Sequence, residues 1–309
     1  MEHESIVRGL LRSPGVEIGA FTSPIPGISP IYVDRFSEYA NQPTLAEYFG
    51  DSADLPFIDS SLNYVASSHV IEHVANPLAA FLEWFRVLRH DGIIYMNVPD
   101  RRLTFDRARP LTLVDHMVED YRNGVTQCDG THIEDYVLNV DWDELSPKTP
   151  SHKVAEEREE LLNAYRLAIN SGDEINIHFH TFELQSMVEL MERANDVLPL
   201  DGGRIDLVRL EPNFPASAPN GFLIVAKVSK LGSMPIFHSP TDILRPGVKK
   251  FDRSPKVELT LEEWNERNFP GTSYLDLNKD VAAAVESGQF QSGYSHYQLF
   301  GRSERRRVL

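Results

Sequence analysis

At 309 residues, 41% of them hydrophobic and 25% charged, the chain has the length and composition of one large globular domain with additions. A formal net charge of −16 repels a phosphate backbone, so nucleic acid is excluded as a substrate class. The lone Cys128 excludes an internal disulfide and a four-cysteine zinc site, no apolar run nears the roughly 20 residues of a bilayer span, and the opening MEHESIVRGLLRSPG lacks a signal-peptide core, so a soluble, cytoplasmic chain is expected.

In chain order, Gly15 to Ala20 reads as a buried strand and Ile31 to Val33 as a second, ending at Asp34. Pro24, Pro26, Gly27 and Pro30 leave almost no room for a helix between them. Leu62 to Ser67 is a third strand, and Gly92 to Val98 is the clearest of all. Apolar runs without alternation belong to strands covered on both faces, hence to a parallel sheet. Between the last two lies a helix with Asn76 as cap, Pro77 in its first turn and Leu78, Phe81, Leu82, Phe85 and Leu88 on one face. This is a β-α-β unit punctuated at both ends.

Residues 100–174 break the rhythm. Positions 112–146 hold nine carboxylates against the single Arg122, and 153–169 has helical spacing, so the block is expected to be an acidic insertion covering the acceptor site. The α/β pattern resumes with a strand-like Ile175 to Phe179, a helix from Phe182 capped by Thr181, and strands over Ile205 to Leu210 and Phe222 to Val228. Residues 231–309 are rich in Pro and Gly, with short helix candidates at 260–267 and 278–286, and read as a C-terminal extension to a domain of residues 1–230.

In such a sheet a nucleoside cofactor binds beyond the carboxyl ends of the strands, where strand order reverses. It needs a tight first turn, an acid for the ribose hydroxyls and a polar contact for the base. Glu17-Ile18-Gly19, Asp34, 15 residues after Gly19, and Ala53-Asp54-Leu55-Pro56-Phe57 stand in the right order. His69-Val70-Ile71-Glu72-His73 matches a zinc-hydrolase pentad, which requires one continuous helix. Here the pentad follows a strand and Asn76-Pro77 starts a new helix, so the strand-end reading is preferred and no metal site is assigned.

The ordered strings E-I-G, Y-V-D, A-D-L-P-F-x-D-x-S, S-H-V-I-E-H-V-x-N-P and R-V-L-R-x-D-G resemble the class I S-adenosylmethionine-dependent methyltransferases over roughly residues 14–230. With Pro99 to Thr112 they are similar to a bacterial group found beside glycosyltransferase and polysaccharide genes. The resemblance implies a Rossmann-like, mostly parallel seven-stranded sheet, with S-adenosyl-L-methionine as cofactor. It implies that Gly19, beside Glu17, approaches the methionine moiety, that Asp34 binds the ribose, that Asp54 and Leu55 flank the adenine, and that Ser68 and His69 line the pocket floor. It also implies a small, sugar-like acceptor methylated on a hydroxyl. The usual first motif is a longer glycine-rich turn, whereas Ala-Phe-Thr-Ser-Pro follows Gly19 here. A non-catalytic binding protein with a degenerate cofactor loop is therefore the alternative, and homo-oligomerisation is left open.

For an acceptor base the candidates are His132, His178 and His180, with His116 nearby. In an extended segment His178 and His180 face the same side, and an imidazole has a suitable proton affinity. Arg101, Arg102, Arg107 and Arg109 either clamp an anionic acceptor or pair with Asp100, Asp106 and the insertion's acids. A second cluster, Arg302 and Arg305 to Arg307, lies in the tail.

Overall fold

In the computed structural model of the chain, residues 2–39, 42–231, 243–251, 274–275 and 278–286 are described. Seven strands form the main sheet: β1 (Gly15–Ile18), β2 (Ile31–Asp34), β3 (Tyr48–Phe49), β4 (Leu62–Ser68), β5 (Leu88–Pro99), β6 (Arg204–Phe214) and β7 (Gly221–Ser229). Their order across the sheet is β3-β2-β1-β4-β5-β7-β6. The five strands from β3 to β5 are parallel, and β7 runs antiparallel between β5 and β6. The parallel pairing expected from the apolar runs is present, as is the mostly parallel seven-stranded sheet that the resemblance implies. Strand order reverses between β1 and β4, which places a ligand crevice beyond their carboxyl ends.

Helix α1 (Glu2–Leu10) covers one face of the sheet, burying Ile6 and Val7 with Tyr64, Tyr95, Leu223 and Val225. On the other face lie α2 (Pro77–Val87), α3 (Val114–Arg122) and, after the insertion, a helix over Leu184–Val197. Helix α2 starts as its sequence dictates: the Asn76 carboxamide accepts from Ala79 N–H at 3.0 Å and Pro77 fills the first turn. Its Leu78, Phe81 and Trp84 are wholly buried in the main core.

The insertion continues with α4 (Gly130–Asn139), α5 (Trp142–Leu145) and α6 (Val154–Ser171). These share a separate small core of Ile133, Tyr136, Val137, Trp142, Ile177 and Phe179, and α6 buries no residue completely. The Leu184–Val197 helix is therefore α7.

Three local expectations are corrected. Ile175 to Phe179 forms no strand, because the Phe179 and His180 N–H groups both turn to the Glu72 carbonyl instead of a neighbouring strand. Thr181 caps no helix; its hydroxyl donates to the Pro110 carbonyl at 2.7 Å, and α7 opens with a capping box between Glu183 and Ser186. The chain beyond residue 230 is partly built into the first unit, since residues 243–251 bond to the β3 region through Phe49 N–H to Lys249 O and Phe251 N–H to Glu47 O. In the second unit, residues 252–309, a helix over Lys279–Glu286 buries Val281 with Tyr274. The candidate helix at 260–267 and the Arg302 to Arg307 cluster lie outside the described residues. Among the described residues no helix is long and apolar enough to cross a membrane.

Candidate active site

A cavity of about 620 Å³ opens beyond the carboxyl ends of β1, β2 and β4. Its size is in the range of small-molecule and cofactor sites. The sheet side is formed by Gly19, Asp34, Asp51, Asp54 and His69, and the insertion side by Tyr121, Val125, Thr126, Ile175 and Asn176.

Gly19 turns the chain at the end of β1 with φ +66°, and a Cβ there would meet a Val70 methyl at 2.7 Å. Only glycine satisfies both demands. The residues that follow, up to Pro30, form turns and no helix, as their prolines dictate. Glu17 does not face the cavity. It is fully buried, and its Oε1 accepts from Ile25 N–H at 2.8 Å, clasping the turn that leads from Gly19 to β2. Its Oε2 has no partner, and burial pushes the carboxyl up to about 7.

Asp34 ends β2 at the cavity and accepts from Phe36 N–H at 3.1 Å. Burial raises its carboxyl above the usual range, against the pull of the Phe36 and Arg35 amides and the Arg35 guanidinium. Asp54 lines the same side but is exposed and bound to Arg245 at 2.7 Å. Leu55 is placed elsewhere: its side chain is fully buried in the main core, and its N–H donates to Glu83 at 2.7 Å. Ser68 accepts from the Asn97 amide at 3.0 Å and is not among the residues that line the cavity. His69 lines the cavity with φ +55°, a strained backbone held by its N–H bond to the Asn97 carbonyl.

The acceptor histidines separate into two clusters, because residues 177–180 are not extended. His178 Nδ1 lies 2.5 Å from Asp106 Oδ2, and its ring packs edge-on against His73, which does line the cavity. Glu72 completes this cluster. Its carboxylate is fully buried, unpartnered by any hydrogen bond, and within 4.0 Å of His69, His73 and His178. Burial raises Glu72 to about 7 and lowers His73 to about 3, so His73 is a neutral imidazole at neutral pH. Burial also acts on Asp106, but the His178 bond and Arg109 hold its carboxyl below the usual range. His132 and His180 sit in the other cluster with His116, their ring centroids 5.1 Å apart, and none of the three lines the cavity.

His69 and Glu72-His73 do not share one continuous helix, since only Ile71–His73 forms a single 3-10 turn. The arginines pair internally: Arg101 with Glu183, Arg102 with Asp100, Arg107 with Asp141 and Arg109 with Asp106 and Asp135. Of the two readings of this run, the internal pairing is what forms. Among the cavity residues, Asp51, Tyr121, Thr126 and Asn176 were not singled out by sequence. Asp51 stands in a turn before A-D-L-P-F, which offered a faint signal; the other three had none.

A methyltransferase-domain family model matches residues 27–96. A protein described as a probable S-adenosylmethionine-dependent methyltransferase from Mycolicibacterium smegmatis is 35% identical over 74 residues, 24% of this chain and 28% of the relative. An uncharacterized transposon protein of Streptomyces fradiae is 32% identical over 129 residues, 36% of each chain. The matched segments thus span about a third of the length of these relatives. Among solved structures, a methyltransferase from Methanosarcina mazei is 17% identical with TM-score 0.40, over 74% of this chain and 98% of that one. Haemonchus contortus phosphoethanolamine N-methyltransferase 1, solved with S-adenosylhomocysteine, is 11% identical with TM-score 0.40, over 76% and 44%. The family match covers β2 through most of β5, which includes two of the three strands at the cavity; β1 and Gly19 precede it. Residues 27–96 thus match a methyltransferase domain, within a sheet whose strand order reverses beside the cavity.

Proposed function

We propose that the chain transfers a methyl group from S-adenosylmethionine to a hydroxyl of a small, neutral, sugar-like acceptor. The observation that carries this reading is the cavity at the switch point of the sheet, with Gly19 and Asp34 at two strand ends. The residues present suit the cofactor. Gly19 lines the cavity with bare backbone at the end of β1, and Asp34 offers a carboxylate to a pair of ribose hydroxyls. When bound, the cofactor supplies an electrophilic methyl on a sulfonium.

The chain's own work is alignment of the acceptor oxygen and acceptance of its proton. Thr126, Asn176, His69 and His73 line the acceptor side, all neutral hydrogen-bonding groups. The nearest guanidinium, Arg35, is bridged to Asp51 and Glu174, and the Arg101 to Arg109 run is paired internally. A polyhydroxylated acceptor suits that lining better than a phosphate or carboxylate, and the resemblance to methyltransferases of polysaccharide loci supports the same class. Of His132, His178 and His180, the base role is best assigned to His178, whose ring packs against the cavity-lining His73 and stands 4.0 Å from Glu72.

Calorimetry with S-adenosylhomocysteine, followed by methyl transfer from labelled S-adenosylmethionine to a panel of neutral sugars and glycosides, with sugar phosphates as the contrast, tests the reading. Micromolar binding and turnover on a hydroxyl acceptor are expected. No binding by the wild type would favour instead a non-catalytic protein whose shortened loop after Gly19 no longer holds the cofactor.

A further inference from the structure

The second histidine cluster takes no part in the cavity, yet it is built with unusual economy. Helix α3 presents His116 and Asp120 one turn apart on one face. The first turn of α4 adds His132, and the segment before α7 adds His180. One donor atom from each of the four lies within 4.8 Å of all the others. Asp120, His132 and His180 are 6%, 3% and 0% exposed.

Hydrogen bonds at the back of two rings determine what faces the centre. His180 Nε2 stands 3.3 Å from the Ala75 carbonyl, which only accepts, so the ring proton belongs on Nε2. His132 Nδ1 stands 2.9 Å from the Asp129 carboxylate, which places the proton on Nδ1. The remaining ring nitrogens, His180 Nδ1 and His132 Nε2, are buried and have no hydrogen-bond partner. Asp120 Oδ2 is likewise buried without a hydrogen bond and lies 3.3 Å from His116 Nε2. Buried lone pairs turned on one another cost free energy unless something positive lies between them. A carboxylate or carbonyl behind each imidazole is also the usual support of a metal-ligating histidine.

We propose that His116, Asp120, His132 and His180 form a zinc site that pins the insertion to the core. Three imidazoles and one carboxylate are a donor set suited to Zn²⁺. Tetrahedral bonds of about 2.0–2.1 Å put ligand atoms about 3.3 Å apart, so closing on the ion requires side-chain shifts of about an ångström. With four protein ligands the site is closed, which makes its role structural. It joins α3, α4 and the segment before α7 at one point. Tyr121, one residue from Asp120, and Ala75, bonded to His180, both line the cofactor cavity, so the ion steadies that wall.

The test uses the full chain without a polyhistidine tag. Elemental analysis should find one zinc per chain. Chelator-treated protein should regain one equivalent of Zn²⁺, with a higher Tm, and should take up Co²⁺ with the intense visible absorption of a tetrahedral site. His132→Gln and His180→Gln should each weaken Zn²⁺ binding at least tenfold. His73→Gln and His178→Gln should retain the full equivalent, which separates this site from the Glu72, His73 and His178 group, whose donors also lie within 4.8 Å. Should the buried variants fail to fold, the half-exposed His116→Gln and the wild-type Co²⁺ spectrum give the same readout. A wild type that takes up no Zn²⁺, a folded His132→Gln that keeps a full equivalent, or loss confined to His178→Gln would each overturn the proposal.

Discussion

The cavity has two walls of different construction. The sheet wall, drawn from residues 18–79, places its chemistry at or just past strand ends, where Gly19, Asp34 and His69 sit at fixed heights above the core. The insertion wall, residues 121–126 and 175–176, comes from helix ends and irregular segments outside the sheet. Beneath the first lies a continuous core in which Phe81 and Trp84 have no exposure. Beneath Val125 and Ile175 of the second lies a small separate core, with Leu167 of α6 66% exposed, while Tyr121 packs against the main core. On the proposed function, Gly19 and Asp34 of the first wall hold the cofactor, and the second wall, with His69 and His73, faces the acceptor. The division is the expected one: rigid elements hold what every turnover shares, and less tightly packed segments carry what distinguishes one substrate from another.

The comparison breaks most easily on stability. Phe81→Ala should cost about 3–5 kcal/mol in chemical denaturation, whereas Leu167→Ala on α6 should stay within about 0.5 kcal/mol. Equal losses would show that the insertion is as firmly packed as the sheet. Turnover gives the next test. Glu72→Gln keeps the shape of a side chain that touches no solvent but removes the ionisable carboxyl facing three imidazoles. It should lower kcat by ~10² while S-adenosylhomocysteine affinity and Tm change little. The exposed Glu134→Gln, which breaks only a surface pair with Arg166, should leave both unchanged.

On the cofactor side, Asp34→Ala should weaken S-adenosylhomocysteine about tenfold, the size of a lost pair of charge-assisted hydrogen bonds. Asp54→Ala, at a side chain 72% exposed and already engaged by Arg245, should weaken it less than about threefold. Equal effects would mean that the two acids share the ribose.

The smallest effect is a pH dependence under the sheet wall. The Glu17 carboxyl stands at about 7 in the fold against an ordinary value of 4.5. The folded state therefore holds the proton more tightly than the unfolded chain. Below pH 4.5 both are protonated; stability is lost as pH rises from there to about 7, and the loss is complete above it. Glu17→Gln keeps an oxygen for the Ile25 N–H and removes the charge. It should stabilise the protein by on the order of 1–2 kcal/mol at pH 8, and by much less at pH 5. A gain independent of pH would assign the effect to packing rather than to ionisation.

How much of this was legible without coordinates follows the same divide. Gly15 to Ile18, Ile31 to Asp34, Leu62 to Ser68 and Gly92 to Val98 announce themselves as buried strands, and Asn76-Pro77 marks the start of α2, because periodicity, caps and breakers act over a few residues. A strand end in a parallel sheet is a place in space as well as in sequence, which is why Gly19, Asp34 and His69 could be named as cavity residues. Glu17 and Leu55 belong to the same strings, yet they turn inward, to Ile25 and to the core, and a string of residues does not state which way each side chain points. The histidines show the limit most clearly. His178 and His180 are two positions apart, and an extended backbone would have kept them together. A turn toward the Glu72 carbonyl sends them into separate clusters, one with His73 and Glu72, the other with His116, Asp120 and His132. Those groupings join segments dozens of residues apart. Only tertiary packing decides them, because the energy that selects them lies in burial and hydrogen bonds between elements that carry no local record of one another.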